Sequence, residues 1–312
     1  MTHRFSHRLV PAAALLAAVV LASLLAACER DGGDRLKGMP EVTPPENMAD
    51  VRNFSRAELD TLRAMKNRNH VTRDEYWDDR GGVLANEWLE VWYPPGKLTV
   101  SHGMFVLNSI MQCHPVVEDL FGGVPLGRLT VVCTQTMEAY KEFTGHDWWH
   151  YSYIESDRII YQPIHVLAAR GLLDIAVPRE FYEWAVMRIG GPNTPQWVRN
   201  GLASRLAEEG AILADNLSEF PDEEVKRPDG EIESALTDRD NKMLTRLAFY
   251  DAYRMVQRLD LEQGREKLAA MVVALGEGKN LDEASQSAYG MSYEELLAFA
   301  RNWAPPERTS EE

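Results

Sequence analysis

Arg158-Ile159-Ile160-Tyr161-Gln162-Pro163-Ile164-His165-Val166-Leu167-Ala168-Ala169 is the stretch at which the chain changes its pattern. Arg158 to Gln162 reads as the second strand of a hairpin. His150 to Ile154 is the first, and the turn is Glu155-Ser156-Asp157. After Pro163 the period becomes helical. Helices are expected at about 164–171, 178–189, 194–209, 240–259, 264–276, 280–288 and 292–303. Leu244, Ala248, Ala252, Val256 and Leu259 keep one face of the 240–259 segment. No internal repeat is present.

Upstream of that junction, strands and helices alternate. Glu87 to Tyr93 sets Trp88, Glu90 and Trp92 against Leu89, Val91 and Tyr93, and stops at Pro94-Pro95-Gly96. His102 to Asp119 is helical, with Pro115 expected to bend or break its end. Arg128 to Thr134 is a strand, and Met137 to Phe143 a short helix ending at Gly145. Residues 55–79 carry a helical pattern, with Ser55 as cap and Glu58 three residues on, inside an N-terminal helical segment 55–86. The order predicts an α+β fold: a small mixed sheet with helices in the N-terminal half, and an all-helical C-terminal half. Residues 214–235, with eight carboxylates, Pro221 and Pro228, are expected to form an exposed, mobile acidic loop, and 304–312 a disordered tail.

The first 27 residues have another character. An apolar run, Leu9 to Leu25, follows Arg4 and Arg8 and ends in Leu25-Ala26-Ala27-Cys28. A basic start, a short apolar stretch and small residues before a cleavage point make an export signal. The last four residues resemble the lipobox of bacterial lipoproteins. That resemblance implies cleavage before Cys28, acylation of its thiol and a lipid anchor at the bacterial cell envelope, facing the periplasm. Glu29, where an aspartate would favour the inner membrane, points toward the outer one. Residues 28–54, with Pro40, Pro44 and Pro45, then form a tether.

Loss of Arg4 and Arg8 with the leader leaves 31 basic residues against 48 acidic ones, a formal charge of -17. Such a field repels nucleic acid and anionic lipid headgroups, so the acyl chains would carry the membrane link. In an oxidising periplasm Cys113 and Cys133 could close a disulfide contributing roughly 3 kcal/mol, or remain buried thiols.

Three stretches within 87–303 together resemble the gluzincin metallopeptidases, in particular the peptidase MA-like group. Leu89 to Pro94, a helix, then Leu129 to Cys133 and Tyr140 to Gly145 look like the strand–helix–strand start of that fold. Arg179-Glu180-Phe181-Tyr182-Glu183-Trp184-Ala185-Val186, followed by Thr194-Pro195-Gln196-Trp197-Val198-Arg199-Asn200-Gly201-Leu202-Ala203, occupies the place of the family's site. Gly264 to Leu268, Gly278, Asp282-Glu283-Ala284, Tyr289 to Ser292 and Leu296 to Trp303 resemble its closing helices. The family carries His-Glu-x-x-His on one helix, whose imidazoles share a face and bind zinc. Its next helix carries Pro-x-Trp-x-x-Glu-Gly-Leu-Ala, whose glutamate completes the ligands. On that pattern Tyr182 and Val186 stand at the histidines, Glu183 at the general base and Asn200 at the third ligand. The resemblance therefore implies a peptidase-like scaffold that has lost its zinc and binds an envelope protein, a peptide or a peptidoglycan-related ligand.

The alternative is an active envelope hydrolase, a zinc-dependent peptidase with a non-standard site. His146-Asp147-Trp148-Trp149-His150 has the two-histidine spacing, and His165 could supply a third ligand. The motif follows Gly145 and precedes the hairpin, so it is expected in a loop or at a strand start; in a strand, residues i and i+4 lie ~13 Å apart, too far for one ion. The aromatic residues from Trp148 to Tyr161 read either as a ligand groove or as a cross-strand cluster. Arg188 and Arg199 are the expected partners of Glu183. No Gly-x-Ser-x-Gly, P-loop or dinucleotide fingerprint is present.

Overall fold

A computed structural model describes residues 81–95, 99–155, 157–218, 229–239 and 241–302. The leader, Cys28, the tether, the helix expected at 55–79 and the tail 304–312 lie outside those residues. The hairpin predicted before Pro163 forms as β4 (Ser152–Ile154) and β5 (Arg158–Tyr161), antiparallel with Tyr153 opposite Ile160. Beyond it come α3 (Ile164–Ala169) and helices only.

Upstream, β2 (Leu89–Tyr93) leads through α1 (Thr99–Leu120) to β3 (Leu129–Cys133) and α2 (Met137–Thr144). Pro115 sits inside α1 without ending it. Gly145 closes α2 with φ 79°, a left-handed cap that suits a residue lacking Cβ. One assignment is corrected. Gly82–Ala85, placed in the helical segment 55–86, is a strand, β1, paired antiparallel with β2. Helix and strand are hard to separate in so short an apolar run.

The five strands order as β1-β2-β3-β5-β4. β2, β3 and β5 are parallel, with Val91, Val131 and Ile159 in register and Trp92, Val132 and Ile160 in the next row. Successive side chains point to opposite faces. Val91, Val131 and Ile159 therefore join the main core, where α1 and α4 (Leu173–Gly190) pack. Trp92, Val132 and Ile160 form a smaller core with Tyr140 and Phe143 of α2 on the other face. The result is the expected α+β layout, a small mixed sheet before a helical half.

α4 begins five residues ahead of the expected start at Pro178, which lies inside it. α5 (Gln196–Leu206) follows, and α8 (Lys242–Gln263) packs along it so closely that a Cβ on Gly201 would lie 2.3 Å from the Ala252 carbonyl oxygen. Of the expected stripe on α8, Ala248, Ala252, Val256 and Leu259 are buried, whereas Leu244 is exposed. α9 (Arg265–Gly276), α10 (Leu281–Tyr289) and α11 (Tyr293–Arg301) close the chain. Capping boxes Asn280/Glu283 and Ser292/Glu295 start the last two.

The acidic stretch 214–235 is not a loop throughout. α6 (Gly210–Ser218) and α7 (Asp229–Asp238) enter it from both ends, and Ile232 and Leu236 are buried. Glu231 is exposed, whereas the Glu233 carboxylate turns inward and accepts from the Gln196 and Trp197 N–H groups at the start of α5. Residues 219–228 lie outside the described ones.

Candidate functional site

Arg179 and Glu183 are one turn apart on α4 and share a face, with Glu180 beside them. α5 brings Asn200 to that face. Arg179 Nη2 donates to Asn200 Oδ1 at 2.8 Å, and Arg179 Nη1 lies 2.8 Å from Glu183 Oε2 and also pairs with Glu180. Arg179 Nε lies 3.4 Å from Glu209 Oε2. The guanidinium thus sits among three carboxylates and one amide, with almost no exposure.

Two more arginines complete the cluster. Arg239 Nη2 donates to Glu183 Oε1 at 3.0 Å and to Asn200 Oδ1 at 3.2 Å. Arg199 Nη2 lies 3.3 Å from Glu183 Oε1. Ser152 of β4 donates to Glu180, and Ser204 Oγ donates to Glu209 at 2.7 Å. Asn200 Nδ2 donates to the Gln196 carbonyl at 3.0 Å, so both ends of its amide are used. Three buried carboxylates meet three guanidiniums, the condition under which buried charge is tolerated.

The electrostatics follow from burial and pairing. Burial works most strongly against ionisation of Glu183, yet Arg239, Arg179 and Arg199 together outweigh it and hold the carboxyl at about 2. Burial likewise works against the Arg179 cation, and Glu180, Glu183 and Glu209 more than offset it. Glu209 goes the other way: burial, only partly offset by Arg179, raises its pKa. The backbone is also held here. Glu208, just before Glu209, has φ 56° and Arg239 has φ 51°, the only two non-glycine residues with positive φ among those described. Such positions cost on the order of 1–3 kcal/mol and persist where the surroundings enforce them.

The cluster faces a pocket of about 100 Å³. Arg179 and Glu180 of α4 and Glu209 form its floor, with Tyr151 and His150 from the turn before β4. Arg246 and Phe249 of α8, Arg239, and Ile212 and Leu213 of α6 make the walls, and Arg170 and Trp149 also line it. Phe249 is flanked by cations, its ring 4.7 Å from the Arg179 guanidinium carbon and 5.3 Å from that of Arg239.

Of the residues expected at the site, Glu183 and Asn200 meet through Arg179 and Arg239. Tyr182 and Val186 do not join them. The Tyr182 hydroxyl is hydrogen-bonded with the Cys113 thiol, and Val186 is fully buried in the core. Arg199 partners Glu183 as expected, whereas Arg188 Nε donates to the Leu126 carbonyl instead. Cys113 and Cys133 are both buried free thiols, so the disulfide considered from the sequence is absent.

His146 and His150 lie in a turn closed by the His150 N–H on the Asp147 carbonyl, not in a strand, and their ring centroids are 4.6 Å apart. The ~13 Å strand spacing therefore does not apply. His165 is exposed on α3 beside His102, not with the pair. Among the described residues no group of three or more His, Cys, Asp or Glu is arranged to hold a metal ion. His150 is pushed down to about 3, by burial first and then by His146 and Arg239, and is neutral at physiological pH.

Arg179, Glu180, Glu209 and Arg239 were missed from the sequence. Arg179-Glu180-x-x-Glu183 did carry a signal: three charges at i, i+1 and i+4 within the otherwise apolar run 175–187 mark a buried ionic face. Glu209 and Arg239 gave none, since each sits just past a helix end and joins the site only through tertiary packing. No protein-family model matches the chain, and no curated protein matches it in sequence.

Proposed function

We propose that the chain is an envelope lipoprotein, tethered through Cys28, whose gluzincin-like domain binds a ligand without hydrolysing it. The observation that carries this reading is the position of the Arg179 guanidinium. In the gluzincin pattern two ligands at i and i+4 flank a glutamate at i+1, and a third comes from the next helix. Arg179, Glu180 and Glu183 on α4 have that spacing, and their contacts with one another and with Asn200 of α5 support reading them in that pattern. This register starts three residues before the one drawn from the sequence, with Asn200 unchanged. An arginine then stands at the first ligand position, with its cation among the other three residues.

These residues do not fit zinc. A guanidinium has no lone pair to give and is always charged, so it repels a divalent ion. Of the three ligand positions only Glu183 carries an oxygen donor of a type zinc uses, and it is already shared by three arginines. The retained frame with this substitution supports binding over catalysis. A second reading, a zinc hydrolase built on His146 and His150, is favoured only by the 4.6 Å separation of their rings.

The full chain, purified and dialysed, is expected to hold well below one zinc per molecule by elemental mass spectrometry and to leave peptide substrates uncut. Retained stoichiometric zinc would sink the proposal, and its loss in His146→Ala would install the second reading. A combined Arg179→His, Glu183→His, Asn200→Glu variant, checked for folding by circular dichroism, is expected to gain one zinc.

A further inference from the structure

We infer that the pocket beside Glu209 holds a single neutral sugar ring. This rests on the binding reading above and names its ligand class. The first argument is what the pocket has already spent. Arg179 pairs with Glu180, Glu183 and Glu209, and Arg239 pairs with Glu183 and donates to Asn200. Arg170 donates to the Trp148 carbonyl at 3.2 Å and lies over its ring, and Arg246 is engaged as well. Among the described lining residues no guanidinium stands unengaged to fork an incoming anion, and the same four cations disfavour an ammonium group.

The second argument is what remains unspent. Glu209 is only 3% exposed, and its contacts with Ser204 and Arg179 are both made through Oε2. Its Oε1 meets no donor among the described residues and is not sealed from the pocket it lines. Tyr151 stands on the same floor, near enough for the Glu209 carboxylate to add to burial in raising the pKa of its hydroxyl. That hydroxyl also has no partner among the described residues and is open to the pocket. An acceptor and a hydroxyl side by side match neutral hydroxyl or amide groups, and a ligand that left them unpaired would lose affinity. The third argument is the wall. Trp149 and Phe249, with Leu172 and Leu213, turn an apolar surface to the same space. A pyranose carries C–H groups on its faces and polar groups around its edge, and its C–H face suits the electron-rich face of an aromatic ring. The fourth is size. The pocket of about 100 Å³ has room for roughly seven to ten waters, the space of one ring and not of a folded partner. The fifth is rigidity. Glu208, with φ 56°, directly precedes Glu209, so the carboxylate is held in place before any ligand arrives.

The test uses the full chain in ligand-observed NMR titrations just below neutral pH. Three probes share the pyranose ring: N-acetylglucosamine is neutral, glucosamine is a cation and glucuronate is an anion. N-acetylglucosamine is expected to bind at least about tenfold more tightly than either charged probe, because the pocket's own ions are already matched to one another. Tyr151→Phe removes only the unpartnered hydroxyl, and is expected to weaken N-acetylglucosamine about fivefold with an unchanged thermal midpoint. Equal or tighter binding of a charged probe, binding of none of the three, or full affinity in Tyr151→Phe would each overturn the inference. Zinc measured in the same sample keeps the two failures apart. Zinc present removes the metal-free reading, whereas no zinc and no sugar binding removes only the ligand assigned here.

Discussion

Replacing Arg179 by methionine keeps much of its volume but takes from Glu180 and Glu209 the cation they share. Glu183 keeps Arg199 and Arg239. Breaking a buried ion pair from one side costs about 3–5 kcal/mol, and Arg179→Met is expected to lose that much stability in urea denaturation at pH 7. Glu183 gives a second prediction at this scale. Its carboxyl titrates near 4.5 when unfolded and at about 2 in the folded chain. A depressed carboxyl stabilises the fold fully above 4.5 and loses that contribution as pH falls toward 2. The contribution is on the order of 3 kcal/mol. Glu209, raised by burial, has the opposite sign: its contribution is present below 4.5 and lost as pH rises. The measurement is therefore the difference between the parent and Glu183→Gln, whose stability should depend less on pH between 4.5 and 2.

At two glycines the helices approach backbone to backbone. A Cβ on Gly201 would strike the Ala252 carbonyl oxygen at 2.3 Å, and one on Gly276 would lie 1.8 Å from that of Ile189. Backbone cannot swing aside as a side chain can, so Gly201→Ala is expected to cost about 3 kcal/mol and lower the thermal midpoint. Which elements could be read from the sequence follows from the same physics. The β4–β5 hairpin, the strands β2 and β3 and the Gly145 stop on α2 rest on local signals, and each forms within two residues of where the pattern puts it. The start of α4 is hidden because Pro178 imitates a helix opening, while Leu172 at the true N-cap makes no side-chain capping bond. α7 is hidden because its acidic residues outnumber Ile232 and Leu236, though those two are buried and Glu233 binds the first N–H groups of α5. The site divides in the same way. Arg179-Glu180-x-x-Glu183 lies in one turn and was open to reading, whereas Glu209 and Arg239 join it only once α5, α6, α7 and α8 have packed.

At the scale of the molecule, a chain with a formal charge of -15 gains nothing electrostatically from an anionic membrane. Under the proposed tether, Cys28→Ser is expected to move the protein from the membrane pellet to the soluble fraction, followed by fractionation and immunoblotting. Retention in the pellet would shift the membrane link from the lipid to the protein surface. The buried arginine has a further consequence. A centre built around an ion must be loaded after folding, competes for a scarce nutrient, and can be stripped. The cation at the heart of this cluster is part of the polypeptide, so the site is complete when the chain folds and cannot be starved.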